Sequence, residues 1–219
     1  VNLGSGTDSL TLGDFANTVT VTGAETLAGG TSTDVVTLGS VVTSGTIDLA
    51  AGNDTLNLSN AGANTLTISN IESVVGGSSA DVVTVATALT GTINLGAGVD
   101  TLTLGDFANT VTILNTQTIV GGTSSDVITL GANGGGLVID LGSGTDTLTF
   151  AASPTTVSVA NVETITGGSS SDIVTLTAAT TNTTINLAGG SGDTLILSGA
   201  GANTVTLSNV EIVTGGTSD

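Results

Sequence analysis

Residues 121–130 read GGTSSDVITL, and this stretch recurs along the chain. Close copies begin at Gly29, Gly76 and Gly167, and residues 215–219 begin another. The copies therefore start 47, 45, 46 and 48 residues apart. Each one joins a glycine turn, an aspartate and a short alternation of apolar residues. Self-similarity at a fixed period in this range is typical of solenoids and other stacked repeat architectures.

A second phrase lies between these copies and follows the same pattern. It reads LGSGTDSLTL from Leu3, LAAGNDTLNL from Leu49, LGAGVDTLTL from Leu95 and LGSGTDTLTF from Leu141, with a shorter form, GGSGDTLIL, from Gly189. The steps between successive aspartates alternate between about 26 and about 20 residues, which predicts three-sided and two-sided coils in alternation within a 46-residue double-coil repeat. The aspartates of both phrases form one series: Asp8, Asp34, Asp54, Asp81, Asp100, Asp126, Asp146, Asp172, Asp193 and Asp219.

The residues after each aspartate have the period of a strand with one buried face. The second and fourth positions are apolar in all complete copies, as in Ile128 and Leu130, and the position between them is most often threonine. Such alternation favours a half-buried β-strand. We expect an all-β chain folded as a parallel β-solenoid of the β-roll or β-helix type. It forms one repetitive domain over residues 1–219, part of a longer repeat array, with apolar columns inside and threonine columns outside.

The composition excludes several classes of function. The chain has 219 residues, a formal net charge of −18, and no Lys, Arg, His or Cys. Without basic residues it has no usual partner for phosphate, so nucleic-acid binding is not expected. Without cysteine it has neither disulfides nor thiolate chemistry. No apolar run approaches the ~20 residues of a membrane helix. Regularly spaced acids without a general base near neutrality do not predict an enzyme.

Stacked coils bring acidic side chains close together with no basic residue between them. Three arrangements relieve the repulsion: protonation, outward splay into solvent, or a bound metal ion. Carboxylate and carbonyl oxygens at a glycine turn suit Ca²⁺, which takes six to eight oxygen ligands. The alternative interpretation is an ordinary tight turn, where aspartate is favoured because its side chain bonds the backbone two residues on.

The second phrase also resembles a known family. LGSGTDSLT, LGAGVDTLT and LGSGTDTLT are similar to G-G-x-G-x-D-x-U-x, the hemolysin-type calcium-binding nonapeptide of RTX β-roll proteins, which are type I-secreted bacterial proteins. The first phrase departs from the family by having serine in place of a turn glycine, as at Ser124. The resemblance implies Ca²⁺ as cofactor, bound by the ten aspartates of the series together with the carbonyl groups of Gly4, Gly6, Gly52, Gly96, Gly98, Gly142 and Gly144.

These observations predict an architectural role outside the cell. We expect a calcium-stabilised structural module of a secreted bacterial cell-surface protein, such as a surface layer, sheath, filament or adhesin stalk. Its expected partners are calcium ions and neighbouring copies of the same protein, not nucleic acid or the membrane interior. The alternative is an ice-binding solenoid that uses outward Thr-x-Thr pairs, such as those at residues 18–20 and 110–112.

Overall fold

The computed structural model describes residues 1–131 and 135–216. Over these residues the chain winds through two parallel sheets, one of 12 strands and one of 11, and consecutive strands alternate between the sheets. Each coil therefore gives one strand to each sheet. The expected all-β parallel solenoid is confirmed. In the described part of the chain, no helix has the length and hydropathy needed to span a membrane.

The strand bounds are as follows. The first sheet contains β1 (Ser9–Thr11), β3 (Thr26–Ala28), β5 (Gly45–Asp48), β7 (Thr65–Ser69), β9 (Val82–Val85), β11 (Thr101–Thr103), β13 (Thr118–Val120), β15 (Leu137–Asp140), β17 (Thr156–Ala160), β19 (Ile173–Leu176), β21 (Thr194–Ile196) and β23 (Ile212–Thr214). The second contains β2 (Thr18–Val21), β4 (Val35–Leu38), β6 (Thr55–Asn57), β8 (Ser73–Val75), β10 (Thr90–Asn94), β12 (Thr110–Leu114), β14 (Val127–Leu130), β16 (Thr147–Thr149), β18 (Thr164–Thr166), β20 (Thr183–Asn186) and β22 (Val205–Ser208).

The core lies between the two sheets and consists of stacked aliphatic columns. Leu102, for example, pairs in register with Val83 on one side and Ile119 on the other, and all three are fully buried. The residues predicted to face inward do so in the interior coils, whereas Leu10 and Leu12 of the first coil are only half-buried. Because strands stack about 4.8 Å apart, each added coil extends the same column.

The predicted alternation of 26-residue and 20-residue coils is wrong. Paired strands are offset by 17 residues at Ser9 and Thr26, and by at most 22 at Thr183 and Val205, so each coil has two strands. The third strand expected in the long coils, as at β3, is the first strand of the next coil. The 46-residue repeat thus contains five strands, or two and a half coils, and successive repeats start in opposite sheets.

Candidate functional site

The aspartates predicted as ligands lie in pairs that alternate between the two edges of the solenoid. Asp34 and Asp54 precede β4 and β6 of the second sheet, and Asp81 and Asp100 precede β9 and β11 of the first. The same alternation continues with Asp126 and Asp146, then Asp172 and Asp193. All eight are fully buried, whereas Asp8 is half-buried. Asp219 lies outside the described residues.

Each pair belongs to a hydrogen-bonded row of four residues, one from each of four consecutive coils, which we call a ladder. In ladder A the backbone N–H of Asn17 donates to Asp34 Oδ1 at 2.9 Å, and the N–H of Asp34 donates to Asp54 Oδ1 at 2.7 Å. The N–H of Asp54 then donates to Glu72 Oε2 at 2.8 Å. Ladder B is Asn64, Asp81, Asp100 and Gln117; ladder C is Asn109, Asp126, Asp146 and Glu163; ladder D is Thr155, Asp172, Asp193 and Glu211.

Ladders A, B and C begin with an asparagine whose side chain also closes its own corner. The side-chain amide of Asn109 donates to Asp126 Oδ1 at 2.8 Å and to the Phe107 carbonyl at 2.6 Å. Its Oδ1 accepts from the backbone N–H of Leu89 in the preceding coil at 2.9 Å. Asn109 is nearly fully buried, so these bonds satisfy polar groups that water does not reach.

The second aspartate of each ladder uses only one of its two oxygens. Oδ2 of Asp54, Asp100, Asp146 and Asp193 is buried without a hydrogen-bond partner among the described residues. The first aspartates differ among themselves: Oδ2 of Asp34 accepts from the N–H of Gly30 at 3.3 Å, whereas Oδ2 of Asp126 is also buried without a partner among the described residues. A glycine makes room for the carboxylate, because a Cβ built on Gly52 would lie 2.7 Å from Asp54 Oδ1.

The carboxylates of a ladder oppose one another electrostatically. Neighbours about 5 Å apart repel by about 3 kcal/mol at an effective dielectric constant of ~20. Burial raises the pKa of Asp146 to about 6, and the charges of Glu163 and Asp126 act in the same direction, against the bond from the Asp126 N–H. Burial likewise raises the pKa of Asp54, Asp100 and Asp172.

Among the described residues, these carboxylates do not form a complete set of calcium ligands. One oxygen of each already accepts an N–H from the preceding coil, and among the described residues no three acidic side chains converge on a common point. Calcium needs six to eight oxygens. The seven predicted glycines lie in the turns above the aspartates, half-buried or exposed, and Gly98 and Gly144 take φ of 145° and 147°. Calcium binding therefore stays a prediction from the resemblance.

The sequence reasoning missed the first and last positions of the ladders. The predicted series contains only aspartates, yet Glu72 and Glu163 accept from the backbone N–H groups of Asp54 and Asp146. A signal was present in the spacing: Asn17 precedes Asp34 by 17 residues, the length of the shortest coil, and equivalent spacings recur in the later repeats.

A second asparagine contact occurs once per repeat, at the end of a strand. Asn70, Asn115, Asn161 and Asn209 adopt φ of 51° to 54°, in the left-handed region. The side chain of Asn70 donates to Asp48 Oδ1 at 2.8 Å, and that of Asn115 donates to Asn94 Oδ1 at 2.9 Å. Asparagine tolerates this backbone conformation better than other residues with a side chain.

The outward face of the second sheet carries two adjacent columns of mainly hydroxyl side chains over seven coils, which we call the threonine face. Register places Thr90 beside Thr110 and Thr92 beside Thr112, and the columns continue to β22. The first sheet is more mixed, since Val120, Val138 and Ile173 point outward there. The threonine face consists of Thr90/Thr92, Thr110/Thr112, Val127/Thr129, Thr147/Thr149, Thr164/Thr166, Thr184/Asn186 and Thr206/Ser208.

The fold and its ladders define the class of protein: a parallel β-solenoid repeat protein, consistent with a β-roll architecture. No protein-family model, no curated protein and no solved structure matches the chain.

Proposed function

We propose that the chain is a structural module, a stiff rod within a secreted bacterial cell-surface protein. The observation that supports this is the continuity of the assembly: the same two sheets and core columns run from the first coil to the last, and the four ladders follow one another along them. Every coil packs only on its neighbours, so length is set by the number of repeats. The role is architectural rather than enzymatic.

The location and the shape are tested separately. Antibodies raised against the chain should label intact cells of the source organism; labelling only after permeabilisation would contradict a surface role. Small-angle X-ray scattering of the purified chain should give the profile of an elongated particle. A compact, isotropic profile would contradict the rod.

The threonine face favours a second candidate function, the binding of ice. Its side chains repeat about 4.8 Å apart between coils and about 6.7 Å apart along each strand. A regular array of hydroxyl and methyl groups free of charged side chains suits an ordered water lattice better than a charged partner. All of its positions are neutral, whereas the first sheet carries Asp48 and Asp140 on its outer face.

Thermal hysteresis of the purified chain tests this candidate directly. The T149Y variant places a bulky ring near the middle of the threonine face and should abolish hysteresis. The matched variant T103Y, on the outer face of the first sheet, should leave it unchanged. Absence of hysteresis in the parent chain would refute ice binding, and equal loss in both variants would refute the assignment to this face.

A further inference from the structure

We infer that the four ladders hold neighbouring coils together without a metal ion, and that each ladder position needs an oxygen acceptor rather than a negative charge. In the family that the turns resemble, calcium joins adjacent coils at this place. Here the join consists of direct hydrogen bonds of 2.7 to 2.9 Å from a backbone N–H to a side-chain oxygen of the next coil.

These bonds continue the sheets beyond the ends of the strands. The carbonyl of Asp126 accepts from the N–H of Thr147 at 2.8 Å, as in a regular parallel ladder. The N–H of Asp126, however, donates to the side-chain carboxylate of Asp146 in the same neighbouring coil instead of to a backbone carbonyl. Without that oxygen a buried N–H would have no partner, which is costly in a protein interior.

Neutral side chains already fill ladder positions with the same geometry. Gln117 Oε1 accepts from the N–H of Asp100 at 2.7 Å, and Glu163 Oε2 accepts from the N–H of Asp146 at 2.7 Å. Asn64 Oδ1 accepts from Val42 in the same way, at 3.2 Å. A calcium ligand set would lose a charged ligand where Gln117 stands in place of a glutamate, whereas the hydrogen-bonded ladder keeps its acceptor there.

Thermal unfolding of the full chain after exhaustive chelation, with and without millimolar CaCl₂, tests the metal. The expected result is a folded chain in chelator with the same Tm in both conditions, and no binding heat on calorimetric titration with CaCl₂. Loss of strand signal in chelator, a Tm that rises with calcium, or a saturable binding heat would each overturn the inference.

Three variants test the acceptor. E163Q keeps an oxygen for the N–H of Asp146 and should melt within about 2 °C of the parent. E163A removes it and should lower Tm by about 3–10 °C. D14N removes one charge from an exposed turn and serves as the control for net charge. If E163Q were as damaging as E163A, the charge itself would be required and the inference would fail. The E163Q result decides this even if E163A does not fold.

Discussion

Replacing Asn70 by glycine removes a side-chain hydrogen bond to Asp48 while keeping a residue that accepts the left-handed backbone. Asn115 makes the equivalent bond one repeat later, but its acceptor is the neutral Asn94 instead of a carboxylate. Both contacts are partly buried, and both acceptors also bind the N–H two residues further on. The chain thus supplies a matched pair that differs mainly in the charge of the acceptor.

The expected cost follows from the acceptor. A hydrogen bond to a charged group contributes about 1.5–3 kcal/mol and a neutral one about 0.5–1.5 kcal/mol. N70G should therefore destabilise the chain by about 1 kcal/mol more than N115G, since the glycine's effect on the unfolded chain is common to both. N70A should cost about 1 kcal/mol more than N70G, because alanine is strained at φ 52°.

Urea unfolding followed by circular dichroism measures these differences, and thermal melts provide a second scale of about 2–4 °C per kcal/mol. The expected order of stability is parent, N115G, N70G, N70A. Equal losses for N70G and N115G would refute the argument from charge. Equal losses for N70A and N70G would refute the argument from backbone strain.

Three further predictions concern packing and pH. G121A should lose about 1–3 kcal/mol in urea unfolding, because its Cβ would lie 2.3 Å from the carbonyl oxygen of Leu141; G135A, whose nearest neighbour atom is 3.8 Å away, should be near neutral. L148A should cost about 2–5 kcal/mol in the same assay, since Leu148 is fully buried, and a loss below 1 kcal/mol would contradict its place in the core. Burial raises the pKa of Asp146 from 3.8 to about 6, so the folded state binds the proton more tightly than the unfolded state does. The free energy of unfolding should therefore fall as the pH rises through this range. Thermal melts from pH 4 to 8 that showed no fall, or an equal fall in D146N, would contradict this.

The strands were predictable because their signal is local. Alternation such as Leu102 and Leu104 around Thr103 determines which side chains face inward, regardless of the number of strands in each coil. The number of strands per coil is not a local property. It depends on whether β3 pairs with β1 or belongs to a third sheet, and the same 46-residue period is compatible with both arrangements.

For a similar reason, the direction in which the carboxylates point could not be predicted from the sequence. A turn such as LGSGTD accommodates an aspartate that points outward to a cation or inward to a backbone N–H. The choice depends on which residue of the next coil lies beside it, and hence on the coil length. Once Asp126 is known to stack on Asp146, with Glu163 beyond, the inward arrangement follows from the hydrogen bonds.

Because each repeat contains two and a half coils, the number of repeats determines the direction in which the far end of the rod faces. Adding or deleting one repeat would lengthen the rod by about 12 Å, from two and a half coils of about 4.8 Å each. The same change would also rotate everything beyond it by half a turn about the rod axis. A domain carried at the far end would then face the opposite way, and only a change of two repeats would restore its original direction. Rods with an even and an odd number of repeats would thus hold a terminal domain on opposite sides.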